Sequence, residues 1–351
     1  MRRGTDRVTS ASHLVQSSPF LSICIPTRNR AALLSELLES IATQTDPEIE
    51  IVISDDGSTD ETTKVVASFE GRLPHLHYER HDPPLLYDRN VLHVVGRARG
   101  EFCWLFSDDD RMEPGALRSV VDELRTNRTC SGLTVGRIAY DYSLAHRLAV
   151  RALKTTQSVT FSDAASAYLA LLDRIGFLSC QIINRSLWNA IVQETPGLEK
   201  YFTNYVQLYV IARMMQRQPH WRFVARECVA FRADNDSFRA LGSIGRLKMD
   251  VVSYELITGD VFGRKSTTYR QAMGEVTRTH ARHHIIDAKR RGAPAAFTCR
   301  ALALCVRYYW KYPAFWFRTF PVLIAPRGFM LFIRRLYQRA RSSGLTATET
   351  I

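Results

Sequence analysis

Its 351 residues exceed what one compact core holds, and the 46% apolar fraction is that of a globular chain, so one large domain plus a smaller one is expected. A formal net charge of +12 and a pI near 9.5 favour anionic partners (nucleic acid, an anionic membrane face or a phosphorylated substrate) or serve solubility alone. The seven scattered cysteines exclude a zinc module or dithiol redox site by their spacing, and their odd number without a secretory leader points to a reducing cytosol.

Residues 1–18 are polar, carry Arg2, Arg3 and Arg7, and read as a tail without fixed structure. Phe20 to Ile25 is a β-rich run stopped by Pro26, followed by the polar turn Thr27 to Arg30. From Ala31 to Thr43, Leu33, Leu34, Leu37, Leu38 and Ile41 recur at helical spacing. A strand over Ile49 to Ile53, the loop Ser54 to Asp60 and a helix over Glu61 to Phe69 follow, with Ser58 or Asp60 as the helix cap. His75 to Tyr78 reads as a third strand, Asn90 to Arg99 as a helix, and Phe102 to Phe106 as the next strand. Pro114 opens a helix reaching Leu124. Strand–helix alternation at this pitch predicts a doubly wound, mostly parallel α/β sheet. Further on, strands are expected over Leu133 to Tyr140, Phe177 to Ile183 and Trp221 to Phe231, and helices over Ala164 to Leu172 and Leu198 to Met215. After Ala240 the composition shifts to long helices rich in Arg, Tyr, Trp and Phe, which places a boundary there.

Two acidic groups sit directly behind buried-looking strands: Asp55-Asp56 and Asp108-Asp109-Asp110. Open α/β sheets bind ligands beyond the carboxyl ends of their strands. Crowded carboxylates repel one another unless a cation joins them, and such hard oxygen donors suit Mg²⁺ or Mn²⁺. The competing reading is a solvated acidic loop that caps the next helix, and Asp-Gly-Ser-Thr-Asp at 56–60 would make a good capping turn. The ten histidines show no metal-ligand spacing, and no P-loop or G-x-G-x-x-G is present. The missing Gly-rich signature disfavours a nucleotidyltransferase and a dinucleotide-dependent oxidoreductase. Two acidic strand ends disfavour a nucleic-acid-binding protein.

Four segments in order carry a resemblance: Ser22-Ile23-Cys24-Ile25-Pro26-Thr27-Arg28-Asn29-Arg30, Ser54 to Asp60, Ala98-Arg99-Gly100-Glu101-Phe102, and Ser107 to Asp110 with Pro114. Together they resemble the family 2 glycosyltransferases of the GT-A fold, over residues 20–125. Tyr87 to Val91, Cys103 to Phe106 and Asn235 to Phe238 are similar to the abequosyltransferase-like branch, which builds bacterial surface polysaccharides. The resemblance implies a GT-A domain over 19–240 and a basic, aromatic-rich helical region over 241–351. It implies a nucleotide-sugar donor, with Pro26, Thr27 and Arg28 lining the nucleotide pocket and Asp55 and Asp56 at its base or ribose. Arg89 and Asn90 would reach the donor, and Asp108 the ribose or a metal-bound water. Asp109 would be the main ligand of Mn²⁺ or Mg²⁺. Ser107 replaces the first acid of the family pattern Asp-x-Asp-Asp, so the motif reads in two registers and Asp110 is a candidate second ligand. The loop with Arg232 and Asn235-Asp236-Ser237 would act as a lid or remain a surface turn. Family members carry the base in an acidic pair at a helix start near residues 200–210. No such pair occurs here, and Glu199, Asp234 and Asp236 are the substitutes.

Between Arg300 and Arg341 aromatic and basic residues interleave, and Arg318, Pro321, Pro326 and Arg327 interrupt the most apolar portion. A spanning helix is not expected; amphipathic helices on an anionic leaflet, or a helical cap on the catalytic domain, are. The expected function is metal-assisted sugar transfer to a glycan or polyprenyl-diphosphate-linked acceptor, in the cytoplasm or at the inner membrane face, without nucleic acid. The alternative is a non-catalytic nucleotide-sugar-binding or membrane-docking protein of the same fold.

Overall fold

The computed structural model describes residues 18–44, 46–73, 75–148, 157–235, 237–330 and 332. The first apolar runs form β1 (Leu21–Thr27), β2 (Ile49–Asp55), the edge strand β3 (Leu76–Arg80) and β4 (Phe102–Leu105). Strands β1, β2 and β4 are buried throughout. Helices on both faces of a parallel sheet impose that burial, which is why these strands read as continuous apolar runs. The four pair in parallel in the order β3-β2-β1-β4, linked through α1 (Ala31–Ala42), α2 (Thr62–Ser68) and α3 (Tyr87–Arg97). Thr27 is in register with Asp55, and Cys24 with Leu105, so the loops leaving β1, β2 and β4 open on one edge.

Beyond β4 the sheet is mixed. It gains β5 (Arg111–Met112), β6 (Gly132–Tyr140), β7 (Val159–Phe161), β8 (Gln181–Asn184) and β9 (Trp221–Arg232). The order is β3-β2-β1-β4-β8-β6-β9-β5, with β7 on β9. Strands β6 and β9 run parallel, while β5, β7 and β8 are antiparallel to their neighbours. Helices α4 (Ala116–Thr126), α5 (Ala164–Ala170), α6 (Arg185–Gln193) and α7 (Val206–Arg217) flank this half. Strands β5 and β7 and helix α6 were not foreseen. The helix expected over 198–215 is broken: Leu198–Tyr201 is a 3₁₀ turn, and Asn204, at φ 66°, separates it from α7.

The Ala98-to-Phe102 motif works at the opposite end of the strands. Arg99 Nε donates to the buried Glu50 at 2.8 Å, and a Cβ on Gly100 would lie 2.7 Å from the Ser22 amide nitrogen. Burial would raise the Glu50 carboxyl, but donors from Ser22 and Arg99 hold it below its usual range. This motif is architectural.

After the 3₁₀ turn Arg239–Leu241 come α8 (Gly242–Phe262), α9 (Thr267–Val276), α10 (Arg282–Arg290), α11 (Ala295–Tyr309) and α12 (Phe320–Ile324). One core runs from Cys24, Val52 and Leu105 through α3, α5 and α7 into Leu247, Tyr254, Met273 and Tyr309. A second core lies under α1 and α4 on the other face. The change of composition at residue 240 is therefore no break in packing. A buried polar cluster crosses the same seam. Asp250 of α8 accepts from Tyr205 Oη at 2.9 Å and from Arg246, and lies 2.7 Å from His284 Nε2 of α10. Among the described residues, no helix is long and apolar enough to cross a membrane.

Candidate active site

The acidic loop after β4 meets the loop after β1. Asp108 Oδ2 accepts from Thr27 Oγ1 at 2.8 Å, and Asp108 Oδ1 from Arg30 Nη1 at 3.0 Å. The same Arg30 nitrogen lies 2.8 Å from Asp109 Oδ2. A single cationic nitrogen thus bridges two buried carboxylates at the carboxyl edge of the sheet. Ser107 Oγ donates to Asp109 Oδ1 at 2.5 Å and Asn235 Nδ2 to Asp109 Oδ2 at 2.7 Å. Burial pushes the Asp108 carboxyl up to about 6; Arg30 opposes this and Asp109 adds to it. Asp110 turns inward, accepting from Ser179 Oγ, and burial with Asp109 beside it holds its carboxyl well above the usual range. In this geometry the triplet divides: Asp108 and Asp109 share one cation position, and Asp110 is anchored elsewhere.

The loop after β2 borders the same edge. Asp55 is engaged by Ser58 N at 2.8 Å and Tyr78 Oη at 2.6 Å, which shapes the turn. Asp56 Oδ1 accepts from the amides of Leu85 and Leu86, and Arg28 Nη1 lies 3.4 Å from Oδ2. Arg28 is half exposed. Pro26 is buried within β1, in register with Ser54. Asn90 is buried: Ser54 Oγ donates to its Oδ1, and its Nδ2 donates to the Ser54 carbonyl at 3.0 Å. Arg89 is exposed, with its guanidinium 5.2 Å from the Phe202 ring centroid. Of the two proposed caps, Asp60 accepts from Thr62 N, while Ser58 accepts from Asn29 N.

The strand end of β9 closes the third side. Arg232 Nε donates to the Asp109 carbonyl at 2.8 Å, and its other nitrogens donate to the Tyr142 carbonyl and Glu36. Asn235 reaches Asp109 directly. Asp234 is exposed and faces Arg290 and Arg291, Glu199 is exposed on the 3₁₀ turn before α7, and Asp236 lies outside the described residues.

Three features escaped sequence reasoning. Arg30 closes the first motif, but its ion pairs with Asp108 and Asp109 join two loops far apart in the chain. Asp88 accepts from Asn204 N at 2.8 Å and Val206 N at 2.9 Å, so α3 supplies the carboxylate at the start of α7. Its own carboxyl is raised by burial against those two donors. Glu79, His81 and His93 converge with ligand atoms within 4.8 Å of one another, and Glu79 already pairs with His93 and Arg97. Only the fold brings these groups together.

A charged nitrogen already bridges Asp108 and Asp109, and their donors are hard oxygens, so this pair fits a divalent cation; the position of Asp110 does not.

Residues 22–190 match the model of the family described as "Glycosyl transferase family 2". Abequosyltransferase RfbV of Salmonella typhimurium is 27% identical over 261 residues, 71% of this chain and 78% of that protein. The GalNAc(5)-diNAcBac-PP-undecaprenol beta-1,3-glucosyltransferase of Campylobacter jejuni is 32% identical over 108 residues, and the match spans 34% of its length. Among solved structures, S. aureus TarS in complex with UDP-GlcNAc has a TM-score of 0.62 at 14% identity, covering 95% of this chain and 94% of that one. Mannosyltransferase PcManGT from Pyrobaculum calidifontis, in complex with GDP-Man and Mn²⁺, has a TM-score of 0.51 at 15% identity, covering 92% and 88%. With the family match lying over the strands and loops that build this edge, residues 22–190 are a glycosyl transferase family 2 domain, and the chain is a glycosyltransferase of GT-A fold.

Proposed function

We propose that the enzyme moves a sugar from a nucleotide-sugar donor to a hydroxyl of a glycan or lipid-linked acceptor in bacterial surface polysaccharide synthesis, at the inner face of the cytoplasmic membrane. The observation that carries this reading is the cation position between Asp108 and Asp109, beside the Asp55-Asp56 loop. Asp108 and Asp109 would hold Mn²⁺ or Mg²⁺, which when bound neutralises charge on a departing nucleoside diphosphate. Thr27 and Ser107 orient the two carboxylates, and Arg232 and Asn235 fix the Asp109 loop from the opposite side. Asp56, Arg28 and Pro26 would bind the nucleotide, with Arg89 and Asn90 nearby. Glu199 and Asp236 stand as candidate bases for the acceptor hydroxyl. The similarity to a glucosyltransferase named for a PP-undecaprenol-linked glycan supports the acceptor class.

A thermal-shift screen of UDP-, GDP-, CDP- and dTDP-sugars, with and without Mn²⁺, tests the reading. One donor class should raise Tm in a metal-dependent way, and no shift with any donor would count against it. Arg30→Met leaves the two carboxylates without their internal counter-charge. Calorimetric Mn²⁺ affinity of the donor-free protein is then expected to rise roughly tenfold. Unchanged or weaker binding would show that Arg30 does not compete for the cation position.

A further inference from the structure

The net charge of the chain has one address. Between Asp287 and Glu349 there are twelve Lys and Arg and no acid, so the remaining 35 basic and 35 acidic residues cancel. Within this segment, Lys289 donates to the carbonyls of Leu323 and Ala325, and Arg290 and Arg291 face Asp234 and Asp287. Among the described residues, Arg300, Arg307, Lys311 and Arg318 form no ion pair.

Two of these cations line an open cleft of about 1000 Å³ between α9 and the end of α11, together with Tyr269, Arg270, Tyr308 and Trp310. The acid of the cleft, Glu255, is already engaged by Arg264 at 2.9 Å and Tyr269 Oη at 3.1 Å. Among the described residues, Arg270 donates to the Lys265 carbonyl and Thr267 and forms no ion pair. The cleft is thus an aromatic-walled basin with a cationic rim. Beside it, Trp310, Trp316 and Phe317 are exposed, Phe317 by 80%, and Trp316 Nε1 donates to the Trp310 carbonyl at 2.8 Å. Ile324, Phe329 and Phe332 continue the exposed apolar series. Aromatic side chains that present an apolar body and a polar edge sit well at a lipid interface, and unpaired cations beside them attract anionic headgroups.

We infer that the helical region docks on an anionic lipid surface, seating a phosphate-bearing headgroup in the α9–α11 cleft and laying Trp310, Trp316 and Phe317 into the interface. This deepens the proposed membrane-proximal acceptor and rests on that reading only for its biological purpose. The full chain is sedimented with vesicles of phosphatidylcholine alone or of equal parts phosphatidylcholine and phosphatidylglycerol. Binding is expected to the mixed vesicles only, and to be released by salt. Arg307→Glu with Lys311→Glu, and separately Trp316→Ala with Phe317→Ala, should each weaken it by roughly tenfold or more, with far-UV circular dichroism and donor hydrolysis unchanged. Failure of wild type to bind mixed vesicles, or equal binding by the variants, overturns the inference. So does a Tm rise with inorganic phosphate without vesicle binding, which marks a free-anion site, or retention on duplex DNA without vesicle binding. In the wild-type protein, donor turnover without vesicle binding sinks the docking face alone. Lost turnover with intact vesicle binding sinks the transferase reading alone.

Discussion

Asp109→Ala is expected to lower sugar transfer by roughly 10²–10³-fold or more while the protein stays folded. Asp109 is the meeting point of three donors, Ser107, Arg30 and Asn235, and its carbonyl takes a fourth from Arg232. Alanine removes the carboxylate and keeps the main-chain contact. Arg30 retains Asp108, so no buried cation is orphaned. Initial rates with a labelled donor, beside a melting curve, measure both halves. A rate within a few-fold of wild type would show that the cation position lies outside the chemistry. Asp110→Asn separates the two registers of the motif. Held by Ser179 and away from the shared position, Asp110 should affect melting temperature before it affects Mn²⁺ affinity.

The largest expected loss of stability comes from Asp250→Asn. The change leaves the partly buried Arg246 and His284 beside a buried amide, and breaking a buried charge pair from one side costs about 3–5 kcal/mol. A fall in Tm on the order of 5–10 °C should follow. Acid should act through the same cluster. Burial would raise the Asp250 carboxyl, but His284 and Arg246 hold it well below the usual range. Its contribution is therefore present above about pH 4 and lost as pH falls towards its folded value. The His280 ring lies tilted against Tyr254 with centroids 4.6 Å apart, and burial pushes its imidazole down to about 4. Because the unfolded chain binds that proton first, stability is full above about pH 6.5 and falls between there and pH 4, by about 3 kcal/mol. Denaturant titrations from pH 7 to pH 4 should show this slope, and His280→Gln should flatten it. A wild-type stability that is constant across the window would contradict the assignment.

The strands and the acidic loops were legible because both are written locally. An apolar run ending in carboxylates needs no partner to be recognised, and Ile49 to Asp56 and Phe102 to Asp110 are such runs. What stayed hidden depends on contacts between distant residues. The inward turn of Asp110 is decided by Ser179, and the acid at the start of α7 comes from Asp88 on α3. Strand β7 has three residues and β5 two, too short for any periodicity to register. The break before α7 hangs on the left-handed conformation of Asn204, which composition does not announce.

The unbroken core between the sheet and helices α8 to α11 also decides how the enzyme comes apart. Tyr205, at the threshold of α7, is bonded to Asp250 in the helical region, while Asp88 ties that threshold to α3 at the carboxyl edge of the sheet. Cooperative unfolding follows such ties. Heating should give one calorimetric transition, and proteolysis near residue 240 should release neither half intact. A fragment ending there would expose the apolar side of α7 and precipitate, so the helices are obligate partners in folding, whatever surface they rest on.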